Sequence, residues 1–216
     1  MSLLMDMTLH DFSELVVSKA PAPGGGSCAA LSGLLGAALT MMVVNLSLGK
    51  KSYDALNESV RDKIARDYEV VQRLNAELTN LVDEDTKAFK LYMEALKLPQ
   101  ETETDKNRKT VSIRQASLYA LNIPLQVAEK CLLLLEHQKV IALYGNKNAV
   151  SDVGVGAVLA YAGLESAALN VKIYLPGISD ESIRKDAMTK IESCLLKGEK
   201  QKSQIIEVVN QRMAEI

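Results

Sequence analysis

PAPGGGSCAALSGLLGAALTMMVVNLSLG, residues 21–49, decides how this chain folds. From Cys28 to Leu48 it is built from Ala, Gly, Ser, Leu, Met, Val and their like, with no charged side chain. A helix that is apolar all round belongs inside a bundle. Small residues at Ala30, Gly33 and Ala37 let a second helix approach closely. Ser27, Ser32, Thr40, Asn45 and Ser47 interrupt or flank the run, so it reads as the buried central helix of a soluble bundle, with a membrane helix as the lesser alternative.

The segment before it, Pro21 to Ser27, is the entrance to that helix. Gly24, Gly25 and Gly26 free the backbone to curl, and Ser27 is placed to cap the helix and leave its first N–H groups converging on one point. An anion or carboxylate fits there. A Gly-rich connection into a helix also serves as a plain turn, and sequence leaves both readings open. At the far end Gly49 stops the helix, with Lys50 and Lys51 where its carbonyl dipole is negative.

Working outward, Thr8 with Asp11 starts a short first helix that ends near Lys19. No Gly or Pro occurs from Tyr53 to Leu96, and Leu56, Val60, Ile64, Val71, Leu74, Leu78 and Leu81 recur every three or four residues, predicting one very long helix. Pro99 and the polar residues to Asn107 make the next connection, and Pro124 is expected to break or kink the helix that follows. A second Gly- and Ala-rich helix is predicted from Asp152 to Tyr174, ended by Pro176-Gly177. Ser179, Asp180 and Glu181 start a last amphipathic helix. No alternating strand pattern appears. The fold class is all-α: a bundle of long amphipathic helices around two apolar Gly/Ala-rich helices, a single domain over 1–216, expected as a homodimer.

A net charge of −2 and a pI near 5.8 leave no basic face, so nucleic acid is not an expected partner, nor is a membrane. Met1 to Asp11 has no secretory pattern. Cys28, Cys131 and Cys194 are widely spaced within apolar or helical patterns and read as reduced thiols of a cytoplasmic protein.

The chemistry centres on Leu81-Val82-Asp83-Glu84-Asp85-Thr86. Leu74, Leu78, Leu81, Asp85, Ala88, Tyr92 and Ala95 share one helix stripe, so Asp85 takes an aliphatic position in a packed seam. Burial raises a carboxyl pKa, as a group acting as both base and acid near neutrality requires. Asp85 is the catalytic candidate; a buried partner for a Lys or Arg is the competing reading. Asp83, beside Asn80 and Lys87, is assigned to a solvated face.

A second polar run, Gly145 to Gly156, supplies Asn146 and Asn148, whose amides can read a polar heterocycle, and Ser151 or Asp152 as a helix cap. Asn170, on the stripe of Gly156, Ala160, Gly163 and Ala167, either bonds backbone or points into a site. His10 and His137 resemble neither metal ligands nor triad members, so no metal site is predicted.

Five segments together, PAPGGGSCAAL (Pro21–Leu31), NLSLGKKSY (Asn45–Tyr53), LVDEDTKAFKLYMEALKLP (Leu81–Pro99), IPLQVAE (Ile123–Glu129) and GNKNAVSDVGVGA (Gly145–Ala157), resemble the formiminotetrahydrofolate cyclodeaminase family, which also contains methenyltetrahydrofolate cyclohydrolases. The resemblance implies an all-helical homodimer binding a reduced folate, with Asp85 at the family's proton donor/acceptor and no cofactor beyond the tetrahydrofolate substrate. Pro23, Gly24, Gly25, Gly26, Ser27, Lys50, Asn146, Asn148, Ser151, Asp152 and Asn170 are the expected substrate-binding positions. The expected reaction is conversion of 5-formiminotetrahydrofolate to 5,10-methenyltetrahydrofolate with loss of ammonia; the alternatives are the cyclohydrolase reaction and a non-catalytic helical ligand-binding dimer. Two departures stand out. The sequence carries no formiminotransferase domain, so channelling within this polypeptide is not expected, and Tyr174 occupies a position where the family commonly has Asn.

Overall fold

A computed structural model describes residues 3–215; Met1, Ser2 and Ile216, part of the N-terminal segment and single domain read above, lie outside it. Among the described residues seven α-helices follow in order: α1 Leu9–Val17, α2 Gly25–Ser47, α3 Lys51–Asp54, α4 Glu58–Lys97, α5 Glu103–Tyr144, α6 Val150–Tyr174 and α7 Glu181–Met213. No strand occurs among the described residues, so the chain is an all-helical bundle.

α1 starts where Thr8 accepts the Asp11 N–H at 3.0 Å, and α5 where Thr102 and Asp105 form a reciprocal capping box. The 40 residues of α4 make a rod of about 60 Å, and α5 returns alongside it. α5 does not stop at Pro124. The helix runs on through it, buried where α5 packs on α4 and α6, so tertiary packing offsets a lost backbone bond that costs about 3 kcal/mol in an isolated helix.

α2 and α6 lie antiparallel at contact distance. A Cβ on Gly36 would sit 2.6 Å from the Gly156 carbonyl oxygen, and one on Gly163 would sit 2.8 Å from that of Ala29, so side chains at either point would force the helices apart. α4 and α7 flank this pair and α5 packs behind it. By length and composition alone, the segments Gly25–Ser47, Glu103–Tyr144 and Lys147–Gly177 are each long and apolar enough to cross a bilayer.

Two apolar clusters fill the bundle: one around Leu78, Ala128, Leu164 and Ile191, the other around Val71, Leu135, Ile141 and Ile205. The first adjoins Asp85.

Candidate active site

α2 begins at Gly25, three residues before the apolar run, with Gly24 in the cap position and the buried Pro23 just before it. Ser27 is therefore inside the first turn and does not cap the helix, contrary to the sequence expectation. Its N–H is one of the orphan donors of a helix start. Asp85 satisfies it from α4: the Ser27 N–H donates to Asp85 Oδ2 at 2.9 Å and the Ser27 hydroxyl lies 3.1 Å from the same oxygen. The carboxylate that the glycine turn was expected to receive is the protein's own.

That arrangement needs Gly26. A Cβ there would overlap the Asp85 carboxyl group, so only a bare backbone lets α4 come this close. The Ser27 hydroxyl also reaches the Val82 carbonyl at 2.8 Å and lies 3.3 Å from the Thr86 hydroxyl. Asp85 is 8% exposed, on the stripe where Leu78, Leu81, Ala88 and Ala95 are buried. Burial pushes its pKa above the ordinary carboxylate value, while the Ser27 hydroxyl and amide pull it back in part. No Lys or Arg is among the causes of that shift, which counts against the paired-carboxylate reading.

Three further groups gather there. Asn170 of α6 donates to the Ser166 carbonyl at 2.9 Å, the backbone bond that was one of its two expected roles, and its amide lies beside the α2 entrance, 3.4 Å from where a Cβ on Gly25 would be. Cys28, one residue past Ser27, has its thiol pKa raised by burial and then by the Asp85 charge. Tyr174, one turn beyond Asn170, is raised by burial, then by Asp85, then by Tyr92. The Tyr92 hydroxyl lies 3.9 Å from where a Cβ on Gly177 would be, just past the end of α6.

The other expected positions lie elsewhere. The Asn146 N–H donates to Ser47 Oγ at 2.7 Å, its amide nitrogen to the Leu46 carbonyl at 2.8 Å, and its amide oxygen accepts the Asn148 N–H at 3.0 Å. Asn146 thus braces the end of α2 through the Leu46 carbonyl and the Ser47 hydroxyl, with its amide engaged within the protein. Lys50, Asn148 and Ser151 are exposed nearby and Asp152 is half-buried. From Gly26 to Ser47 is about 30 Å along α2. Within one chain, Pro23 to Ser27 and Asn170 join Asp85; Lys50, Asn146, Asn148, Ser151 and Asp152 form a separate group at the opposite end.

Asp83 corrects its expected solvated setting. It is half-buried and accepts the Leu4 N–H at 2.5 Å, because the N-terminal turn folds back over α4. Glu84 accepts from the Tyr119 hydroxyl and from Lys87, which together hold its carboxyl below the usual range. Farther along α4, Asp67 is 4% exposed between Lys63 Nζ at 2.9 Å and His137 Nδ1 at 2.9 Å. Its place between Ile64 and Val71 on the apolar stripe was the signal that it is buried.

The sequence profile of the family described as Formiminotransferase-cyclodeaminase matches residues 8–193. The chain belongs to that family. A methenyltetrahydrofolate cyclohydrolase of Methylorubrum extorquens is 34% identical over 95% of this chain and 97% of its own length. The formimidoyltransferase-cyclodeaminase of Sus scrofa is 32% identical over 98% of this chain but only 38% of its own length, so this chain is similar to one part of that larger protein. The crystal structure of a formiminotetrahydrofolate cyclodeaminase from Thermotoga maritima superposes with a TM-score of 0.82 at 28% identity, covering 95% of this chain and 97% of that one. Within this family fold, the Asp85 niche joins α2, α4 and α6 at one end of the bundle.

Proposed function

We propose that this chain converts 5-formiminotetrahydrofolate to 5,10-methenyltetrahydrofolate and ammonia, with Asp85 carrying the proton. The observation that supports it is the Asp85 carboxyl, buried against the α2 entrance with a raised pKa and no cation among its causes. Folate N10 attacks the formimino carbon held on N5, giving a tetrahedral carbon that bears an amino group. The Asp85 carboxylate takes the N10 proton and, as the acid, returns it to that amino group; the C–N bond then breaks and ammonia leaves. Such transfer contributes about 10²–10⁴ in rate. The proton balance closes on one carboxyl group, so the reading requires no cofactor besides the folate.

A second reading has its own support, since the Methylorubrum cyclohydrolase matches this chain over nearly its whole length. There Asp85 would take a proton from water attacking the methenyl carbon and pass it to N5; the N5–C bond then breaks as the carbinol hydroxyl releases its own proton to solvent and becomes the formyl C=O of 10-formyltetrahydrofolate. The two are separated by one assay. Release of ammonia with rising methenyl-folate absorbance supports the first; decay of methenyl-folate without ammonia replaces it by the second. Neither reaction, in folded protein, leaves a non-catalytic ligand-binding dimer.

The same proposal places the enzyme in the cytoplasm as a homodimer, with a reduced folate as its small-molecule partner and neither nucleic acid nor membrane among its partners.

A further inference from the structure

The first turn of α2 is open on one side. Gly25 is exposed, and a Cβ built on Gly24 would meet nothing within 4 Å, so the space in front of these residues is clear. Asp85 of α4 borders it at Gly26, and Asn170 of α6 at Gly25. Tyr92 follows Asp85 by seven residues and Tyr174 follows Asn170 by four, spacings that keep each pair on one face of its helix.

The two tyrosines bring α4 and the end of α6 together. The Tyr174 phenol lies within electrostatic reach of both Asp85 and Tyr92, and the Tyr92 hydroxyl comes within 3.9 Å of a Cβ position on Gly177, three residues past Tyr174. The turn after Tyr174 is held in place. Ile178 is buried, and Arg184 donates to the Ile178 and Ser179 carbonyls at 2.6 and 3.2 Å. Tyr174 packs on the apolar cluster that contains Leu164 and is only half-buried, so part of it is anchored and part stays accessible.

Charge decides which part of a substrate enters this opening. No Lys or Arg is among the causes that shift Asp85 or Tyr174, so an anionic group finds no counter-ion here and meets a carboxyl group instead. A flat, uncharged ring with polar edge atoms suits the place better. Aromatic faces stack on such a ring, and a phenol, protonated at neutral pH, has a proton to donate.

We propose that Tyr174 touches the substrate, its ring as one wall for the pteridine head of the folate and its hydroxyl as donor of a hydrogen bond to a polar atom at that head's edge, while the anionic glutamate end points away from Asp85. The assignment deepens the folate reading and rests on it. Tyr174 orients the head so that N5 and N10 meet Asp85, and it moves no proton itself.

Binding of 5-formyltetrahydrofolate and of its triglutamate to the full chain reads the contact. Tyr174→Phe keeps the ring and its packing and is expected to raise both dissociation constants about threefold to tenfold. Tyr174→Ala removes the wall as well and is expected to raise them by more than about tenfold. Within each variant the factor is expected to be the same for the two ligands, because the residue meets the head and not the tail. Circular dichroism checks that helix content is unchanged, and the Phe variant decides the matter if the Ala variant does not fold. Wild-type affinity in both variants, or a loss confined to the triglutamate, would overturn the assignment. A weakened Tyr174→Ala beside an unchanged Tyr174→Phe would strike the hydrogen bond from it. A wild type that binds neither ligand sinks the folate reading and this assignment together, whereas tight binding that ignores both substitutions sinks the assignment alone.

Discussion

Ser27 and Asp85 are joined twice at one oxygen, by an amide at 2.9 Å and a hydroxyl at 3.1 Å, although 58 positions separate them in the chain. This pair ties the start of α2 to the middle of α4 and gives the carboxyl group its orientation. It also sets two opposed influences on one proton. Burial favours the neutral acid, and the Ser27 donors favour the carboxylate. A group balanced in that way is suited to give a proton and take it back.

Asp85→Asn keeps an oxygen to accept the Ser27 N–H but can no longer carry a proton. The variant should fold with unchanged helix content and lose about 10²–10⁴ in turnover. Circular dichroism and the folate assay check the two halves. A folded variant with near wild-type rate would remove Asp85 from the mechanism.

Ser27→Ala deletes the hydroxyl and leaves the amide. One of the influences that lower the Asp85 pKa is lost, so that pKa rises further. Activity needs the carboxylate as base and falls as pH drops through its pKa, so the acid limb of the pH–rate profile should move to higher pH. The lost hydrogen bonds should cost about 1 kcal/mol of stability. An acid limb that stays in place would mean that the hydroxyl does not act on Asp85.

Gly26→Ala puts a methyl group into the space of the Asp85 carboxyl, and α2 and α4 must part to admit it. Overpacking of this kind costs about 1–3 kcal/mol, and turnover should fall with it because the displaced group is the proton carrier. Gly24→Ala is the control: nothing lies within 4 Å of its added Cβ, and its φ of −138° suits any residue. Melting temperatures of the two variants check the contrast, and equal shifts would count against the close approach.

The stripe spacing made Asp85 legible, because a carboxylate at an aliphatic position stands out against a regular three- and four-residue period. The same period passes through Asp67 and carries the same signal of burial, but its partner His137, 70 positions away, is not legible from it. Ser27 looked like a cap because a local sequence cannot show that the acceptor comes from another helix. Pro124 reads locally as a break or kink, and that α5 nevertheless continues through it depends on packing contributed by α4 and α6. The separation of the Asn146 group from Asp85 is a tertiary fact of the same kind. It follows from α2 and α6 running antiparallel over their full length, which motif order along the chain does not reveal.

The raised Asp85 pKa also has a cost in stability, and its sign is fixed. The folded chain binds this proton more tightly than the unfolded chain does, so stability falls as pH rises. The contribution is fully present below the ordinary Asp pKa of about 3.9 and is lost as pH climbs through the raised folded value. Asp85→Asn cannot ionise and escapes the loss. Its melting temperature relative to wild type should therefore grow from pH 4 to pH 8, each kcal/mol appearing as about 2–4 °C in a chain of this size. Other carboxyls, such as Glu84 with its lowered pKa, titrate equally in both proteins and cancel in the difference. A difference that stays constant over that range would mean that the buried carboxyl pays no desolvation penalty, and the physical basis for its role as proton carrier would go with it.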